Sequence, residues 1–310
     1  MAALPGENVA EEAPMPRALI AATCLALYGC TTAGSGVRPL GSLDYRRDGK
    51  LMMVQARVNG AGPYWFIVDS GAPRSVIDPR LAAELQLAVT AQGATTGTGP
   101  NPVPYAYAQP VRIGLGGGAY DSTPYVIDLS GSPLPKEVRG LIGSELFVRH
   151  VLRIDPRAQR ISWYDPKRAP ERSGATALPL RAEAGKLYLK ARIEPRSGVA
   201  IDRELRIDTG SESSVNDPSA AQATLIATTT LGNGLGGDFQ GVSGKYRSVR
   251  FGPYVFRDFW GPGGNPPLIG MELLQRFVMT FDAPHGRIYL APIGRLDAPV
   301  PHPPGVIREN

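Results

Sequence analysis

Residues 66–79 read FIVDSGAPRSVIDP and residues 205–218 read LRIDTGSESSVNDP. Laid on one another without a gap, they match at Asp69 and Asp208, Gly71 and Gly210, Ser75 and Ser214, Val76 and Val215, and at the pairs Asp78-Pro79 and Asp217-Pro218. A single Asp-Ser-Gly after an apolar run is what any tight turn following a strand uses. The second copy changes its meaning. Further on, LIGSELFVRHVLRIDPRAQRI at 141–161 and LIGMELLQRFVMTFDAPHGRI at 268–288 are identical at 10 of 21 positions, where chance gives about one or two. The lead-ins KLMMVQARV (50–58) and KLYLKARI (186–193) correspond as well. The chain is therefore an internal duplication. Each half runs strand, hairpin, Asp-hydroxyl-Gly turn, Asp-Pro-opened segment, Gly-rich middle, apolar-apolar-Gly and closing hairpin.

Gly 37 and Pro 30 make up more than a fifth of the 310 residues without a collagen period, which favours many turns and short strands. An apolar fraction of 43% can fill real cores. The expected fold class is mostly β with short helices. DPRLAAELQL (78–87) opens on an Asp cap with Pro at the first helical position, and DPSAAQATLI (217–226) is expected to be its helical counterpart. SELFVRHV and MELLQRFV read as two more short helices. The net charge of +5 is scattered, so no stripe suited to a phosphate backbone forms and nucleic acid is not expected as a partner. The excess arginine is read as solvated surface.

Residues 18–29, ALIAATCLALYG, are uncharged and apolar but shorter than the ~20 residues of a membrane span, and Arg17 precedes them, as in a signal-peptide core. The segment ends in LYGCTTAGSG, which resembles a bacterial lipoprotein signal with Cys30 as the lipidated residue. The acidic stretch Glu7 to Glu12 points to Met15 rather than Met1 as the true start. The expected location is the periplasmic side of the cell envelope, lipid-anchored or secreted. Cys24 and Cys30 are the two cysteines, both in this leader. Internal disulfides, thiol catalysis and cysteine-ligated zinc are therefore not expected.

Two Asp-[Ser/Thr]-Gly triplets, each followed by an apolar-apolar-Gly element, resemble the aspartic peptidases. The segments look like those of retropepsin-like bacterial aspartyl proteases, and their arrangement in one chain is pepsin-like. The resemblance spans about residues 48–292 and implies a bilobal fold of two pseudo-twofold-related, barrel-like β lobes. The expected organisation is a leader and tether at 1–36, an N-terminal lobe at 37–166, a linker at 167–178, a C-terminal lobe at 179–294 and a Pro-rich, loosely ordered tail at 295–310. It implies an aspartic endopeptidase acting on polypeptides, monomeric because both aspartates come from one chain, and without cofactor or metal.

The chemistry accounts for the residue types. Two carboxyls about 3 Å apart cannot both ionise cheaply, so they share one proton and supply both a base and an acid. Asp69 and Asp208 are the candidate pair. Gly71 and Gly210 allow the two backbones to approach where a Cβ would intrude. By the resemblance, Ser70 and Thr209 hydrogen-bond across the lobes, and Leu141-Ile142-Gly143 and Leu268-Ile269-Gly270 pack beneath the turns. Ser211 stands where the first copy has Ala72, and a hydroxyl bonded to the carboxylate there would make Asp208 the more readily ionised member. Pro73 and Arg74 depart from the family pattern. The Gly-rich stretches 93–108 and 231–244 lie where the family places its flaps. Tyr105, Tyr107, Gly97 and Gly236 are candidate substrate contacts there, with plain surface hairpins as the alternative.

His150, His285 and His302 are the three histidines, and no companion motif makes any of them a serine-hydrolase base. Asp78 and Asp217 read as helix caps. The rival reading in a different class is a peptide-binding or scaffolding lipoprotein that keeps this fold without turnover.

Overall fold

In each half the lead-in strand alternates, and the two faces meet different surroundings. The computed structural model describes residues 1–2, 37–96, 101–170, 172, 174–196, 199–223, 225–234, 237–300 and 306–309. The chain divides into two units, Met1–Gly34 and Ser35–Asn310. Within the second, strand Leu51–Val58 places Met52, Val54, Ala56 and Val58 in the main core. Its opposite face places Leu51 and Met53 in a smaller apolar cluster with Ile67, Val76 and Leu141. The counterpart strand Lys186–Pro195 buries Leu187, Leu189, Ala191 and Ile193 in the main core, while Lys186, Tyr188, Lys190 and Arg192 stay wholly or partly exposed on the other face. Period-2 alternation thus yields a second apolar layer in the N-terminal half and a charged face in the C-terminal half.

Three sheets carry the fold. Ten strands from Arg46–Asp48 to Val138–Ile142 make the sheet of the N-terminal half, and nine from Arg181–Glu183 onward make that of the C-terminal half. The third sheet joins the halves. Its six antiparallel strands run Gly41–Asp44, Arg160–Tyr164, Val151–Asp155, Phe277–Asp282, Arg287–Pro292 and Thr176–Pro179. The two closing hairpins meet at its centre, where Leu152 faces Phe281. There the ring of Phe147 meets that of Phe281 edge-on at 5.0 Å. The result is a mostly β, two-lobed architecture with barrel-like sheets and a few short helices.

Those helices are Pro79–Glu84, capped by Asp78, together with Glu145–Arg149 and Met271–Leu274. The segment after Asp217 departs from the expected helix. It makes only a 3-10 turn, Pro218–Gln222, and enters strand Leu225–Gly234, because a β-branched run, Thr228-Thr229-Thr230, follows at once. Both Gly-rich stretches lie in hairpins: Val89–Thr96 pairs with Pro102–Ala108, and Leu225–Gly234 with Gly237–Phe251. The tail also differs from a loose end, since Val306–Glu309 pairs with Leu225–Thr228 and satisfies the backbone of that edge strand. Thr176–Pro179, partly within the expected linker, is the edge strand of the joining sheet. No helix of the described residues is long and apolar enough to cross a membrane.

Candidate active site

Strand Ala61–Val68 runs parallel to Val138–Ile142, with Ile67 opposite Leu141 and Val68 opposite Ile142. The Asp69 amide, one residue beyond the strand, donates to the Ile142 carbonyl at 2.9 Å. The second half repeats this: Ile207 lies opposite Ile269, and the Asp208 amide donates to the Ile269 carbonyl at 3.0 Å. The apolar-apolar-Gly element is thus a parallel partner strand that fixes where each aspartate leaves the sheet.

The turns that follow are locked to each other. The Ser70 amide donates to Thr209 Oγ1 at 2.9 Å, and the Thr209 amide to Ser70 Oγ at 3.0 Å. Each hydroxyl also donates across the halves, Ser70 Oγ to the Ile207 carbonyl at 2.8 Å and Thr209 Oγ1 to the Val68 carbonyl at 2.9 Å. Both side chains are fully buried. Thr209→Val keeps the shape but leaves the Ser70 amide and the Val68 carbonyl without partners. A loss of about 1–3 kcal/mol is expected, read from the urea-unfolding midpoint; an unchanged midpoint would contradict this account of the clasp.

The same lock brings each carboxyl over the other turn. A Cβ built on Gly71 would lie 2.4 Å from Asp208 Oδ2, and one on Gly210 would lie 2.4 Å from Asp69 Cγ. No side chain fits at either position. Asp69 Oδ1 accepts the Gly71 and Ala72 amides at 2.8 and 3.2 Å, and Asp208 Oδ1 accepts the Gly210 amide at 3.1 Å. Burial and the negative charge of Asp208 push the Asp69 carboxyl up to about 7, against the opposing pull of the turn amides and of Arg206.

Arg206, expected from the sequence to be solvated surface, is instead the cation nearest this pair. Its Nη2 donates to Asp208 Oδ2 at 2.7 Å, and the two side chains are 12% and 9% exposed. The one signal in the sequence was the alignment of Arg206 with Ile67 inside an otherwise apolar strand position. Ser211, by contrast, does not reach the carboxylate. Its Oγ pairs with Ser213 Oγ at 2.8 Å, so the expected hydroxyl support for Asp208 is replaced by a guanidinium.

Pro73 takes part in packing between the halves: Gly185, at the turn of the hairpin Arg181–Glu183 to Lys186–Pro195, lies against it. The pseudo-equivalent turn at Gly49 lies against Glu212, whose carboxylate accepts the Lys50 amide at 2.6 Å. Arg74 stacks over Tyr107 at 5.9 Å. Tyr105 and Tyr107 form a three-ring group with Tyr125, with ring centroids 4.4–5.3 Å apart, and Tyr105 covers Gly93. Gly97, Gly236, Cys30 and the rest of the leader from residue 3 to 36 lie outside the described residues.

The remaining candidates have structural partners. His150 packs edge-on against Trp163, and burial lowers its pKa. His285 pairs with Asp282. Asp78 and Asp217 accept the Arg80 and Ser219 amides at 2.9 Å each, as caps. Glu145 holds the Ser75 amide at 2.8 Å, whereas its counterpart Glu272 pairs with Lys50 and Arg276. Among the described residues no group of three or more His, Cys, Asp or Glu is placed to hold a metal ion.

Residues 54–146 match the family model described as aspartyl protease. No curated protein matches the chain. Among solved structures, basic 7S globulin from soybean is similar at 12% identity and a TM-score of 0.46, over 81% of this chain and 94% of that one.

Proposed function

We propose that this chain, which carries an aspartyl protease family domain over residues 54–146, is an aspartic endopeptidase in which Asp69 and Asp208 activate water together. One observation carries the reading: each carboxyl lies over the glycine of the opposite turn, and reciprocal hydroxyl bonds hold the two turns together. Such a pair holds one proton between two carboxyls.

The chemistry follows from that single proton. The ionised carboxylate takes a proton from water as its oxygen adds to the peptide carbonyl carbon, and the protonated carboxyl gives its proton to the carbonyl oxygen. The product is a neutral gem-diol. The first carboxyl then passes its proton to the nitrogen while a diol hydroxyl returns a proton to the second. The C–N bond breaks, releasing an acid and an amine, and the dyad regains its starting state. One chain supplies both groups, which supports a monomer. The apolar segment at 18–29 and Cys30 support a lipid tether on the periplasmic side of the envelope.

The test is incubation of the full chain with a diverse peptide library between about pH 3 and pH 8, the range in which carboxyls exchange roles. Cleavage is expected, and it should fall as pH rises through about 7, where Asp69 loses the proton the acid step needs. The rival reading, a peptide-binding lipoprotein without turnover, is favoured by the bond from Arg206 to Asp208, which weakens that carboxylate as a base. A folded protein that binds peptides and cleaves none would establish the rival.

A further inference from the structure

Arg206 sits where the two halves of the duplication part company. Its counterpart is Ile67, and each faces the leucine of its own apolar-apolar-Gly strand, Ile67 opposite Leu141 and Arg206 opposite Leu268. Positions two apart on a strand share a face, so this residue shares its side with the aspartate that follows. In the N-terminal half that side is closed by Leu51, Met53, Val76 and Leu141 around Ile67. In the C-terminal half Tyr188 stands where Met53 does, and Lys186 where Leu51 does, as the pairing of Tyr188 with Arg206 and of Met53 with Ile67 establishes. Leu268 stays buried there, but the two apolar side chains of the lead-in strand are gone, and the cation turns to the carboxylate beside it.

Most of the charges around this pair have other partners. On the same strand Asp202 holds Arg192 and Glu204 holds Arg181. Arg181 also meets Glu183 and covers the ring of Tyr188. Lys186 and Lys190 lie on the neighbouring strand, with Lys190 opposite Glu204. On the loop after the second turn Glu212 accepts the Lys50 amide, and Glu272 pairs with Lys50 and Arg276. On the facing turn Arg74 stacks on Tyr107. Arg206 Nε is buried without a hydrogen-bond partner, which leaves Asp208 as the acceptor that anchors this guanidinium.

We propose that Arg206 is the positioning residue of the dyad: it holds Asp208 as the carboxylate, so that Asp69 carries the shared proton. Asp208 is then the base toward water and Asp69 the acid toward the carbonyl oxygen. An ion-paired, nearly buried carboxylate resists protonation, because a proton would leave the guanidinium without its counter-charge. The catalytic consequence rests on the endopeptidase reading, but the order of protonation does not.

Carboxyl carbon shifts of aspartate, followed by NMR on the full chain labelled with 13C at that carbon, separate the two questions. In the native protein the step near 7 is expected to move the Asp69 signal more than that of Asp208. In Arg206→Ile, which installs the residue of the first half, the two signals should move together as the proton is shared. Arg206→Gln, which keeps a donor without the charge, should do the same and serves if the isoleucine variant does not fold. Arg206→Lys should restore the native order. Two signals moving together in the native protein would overturn the proposal, as would an unchanged order in both Arg206→Ile and Arg206→Gln. Peptide cleavage by the same samples is scored separately: its absence in the native protein removes the endopeptidase reading and leaves the titration result standing.

Discussion

Replacing Asp69 or Asp208 by asparagine is expected to lower peptide cleavage on the order of 10²- to 10⁴-fold in either case, while moving stability in opposite directions. Neither role in the proton exchange survives an amide, so activity falls alike. Asp208→Asn, however, leaves Arg206 nearly buried without its counter-ion, at a cost of about 3–5 kcal/mol. Asp69→Asn instead removes a carboxyl that the fold keeps protonated. Its folded-state pKa is raised from 3.8 to about 7, so between those values the native state holds a proton that the unfolded chain has released. Stability of the native protein therefore declines across that window. The asparagine variant escapes the decline, with a gain that is absent below the window and complete above about 7. Urea unfolding of both variants on each side of the window checks this. Equal shifts of one sign would contradict the asymmetry, and cleavage surviving both changes would remove the mechanism.

Phe281→Ala carries the largest effect expected on the fold itself, a loss of about 3–5 kcal/mol. The side chain is fully buried, lies on strand Phe277–Asp282, and packs edge-on against Phe147 of the other half. Its backbone faces Leu152 across the joining sheet. Against a total stability of about 5–15 kcal/mol for a typical domain, that is about a fifth or more. Because the cavity opens where the closing hairpins meet, and both hairpins follow the strands beneath the aspartates, cleavage should fall with it. Unfolding midpoints measured beside cleavage rates provide the check; a loss below about 1 kcal/mol would mean that the joining sheet is not where the halves are held.

The two aspartates were legible because duplication repeats chemistry at fixed spacing. Asp69 and Asp208 carry the same neighbours, and a copied Asp-hydroxyl-Gly turn followed by a copied Leu-Ile-Gly strand has few readings. The β class was legible for a similar reason, since frequent Gly and Pro punctuate short apolar runs. The second helix was misread because Asp217-Pro218 is a genuine cap signal and the threonine run that ends it is a tertiary strand. The tail was misread because four residues with no strong pattern of their own pair with an edge formed eighty residues earlier. The histidine and cap readings fared differently: His150 and Asp78 have local reasons for their positions, and those reasons could be read from their immediate neighbours.

By itself the sequence determined that this protein is a duplicated, mostly β chain with two equivalent aspartate turns, because repetition and local turn chemistry are written residue by residue. Tertiary structure alone decided that the two turns are not electrostatically equivalent. Arginine at position 206 reads as one more scattered surface charge until the sheet shows that Lys186 and Tyr188 stand where Leu51 and Met53 cover Ile67. Ser211, the local candidate for supporting Asp208, turns to Ser213 instead. Charge assignment depends on which groups share a face and on what else could pay for burying them, and those distances exist only once the chain has closed on itself.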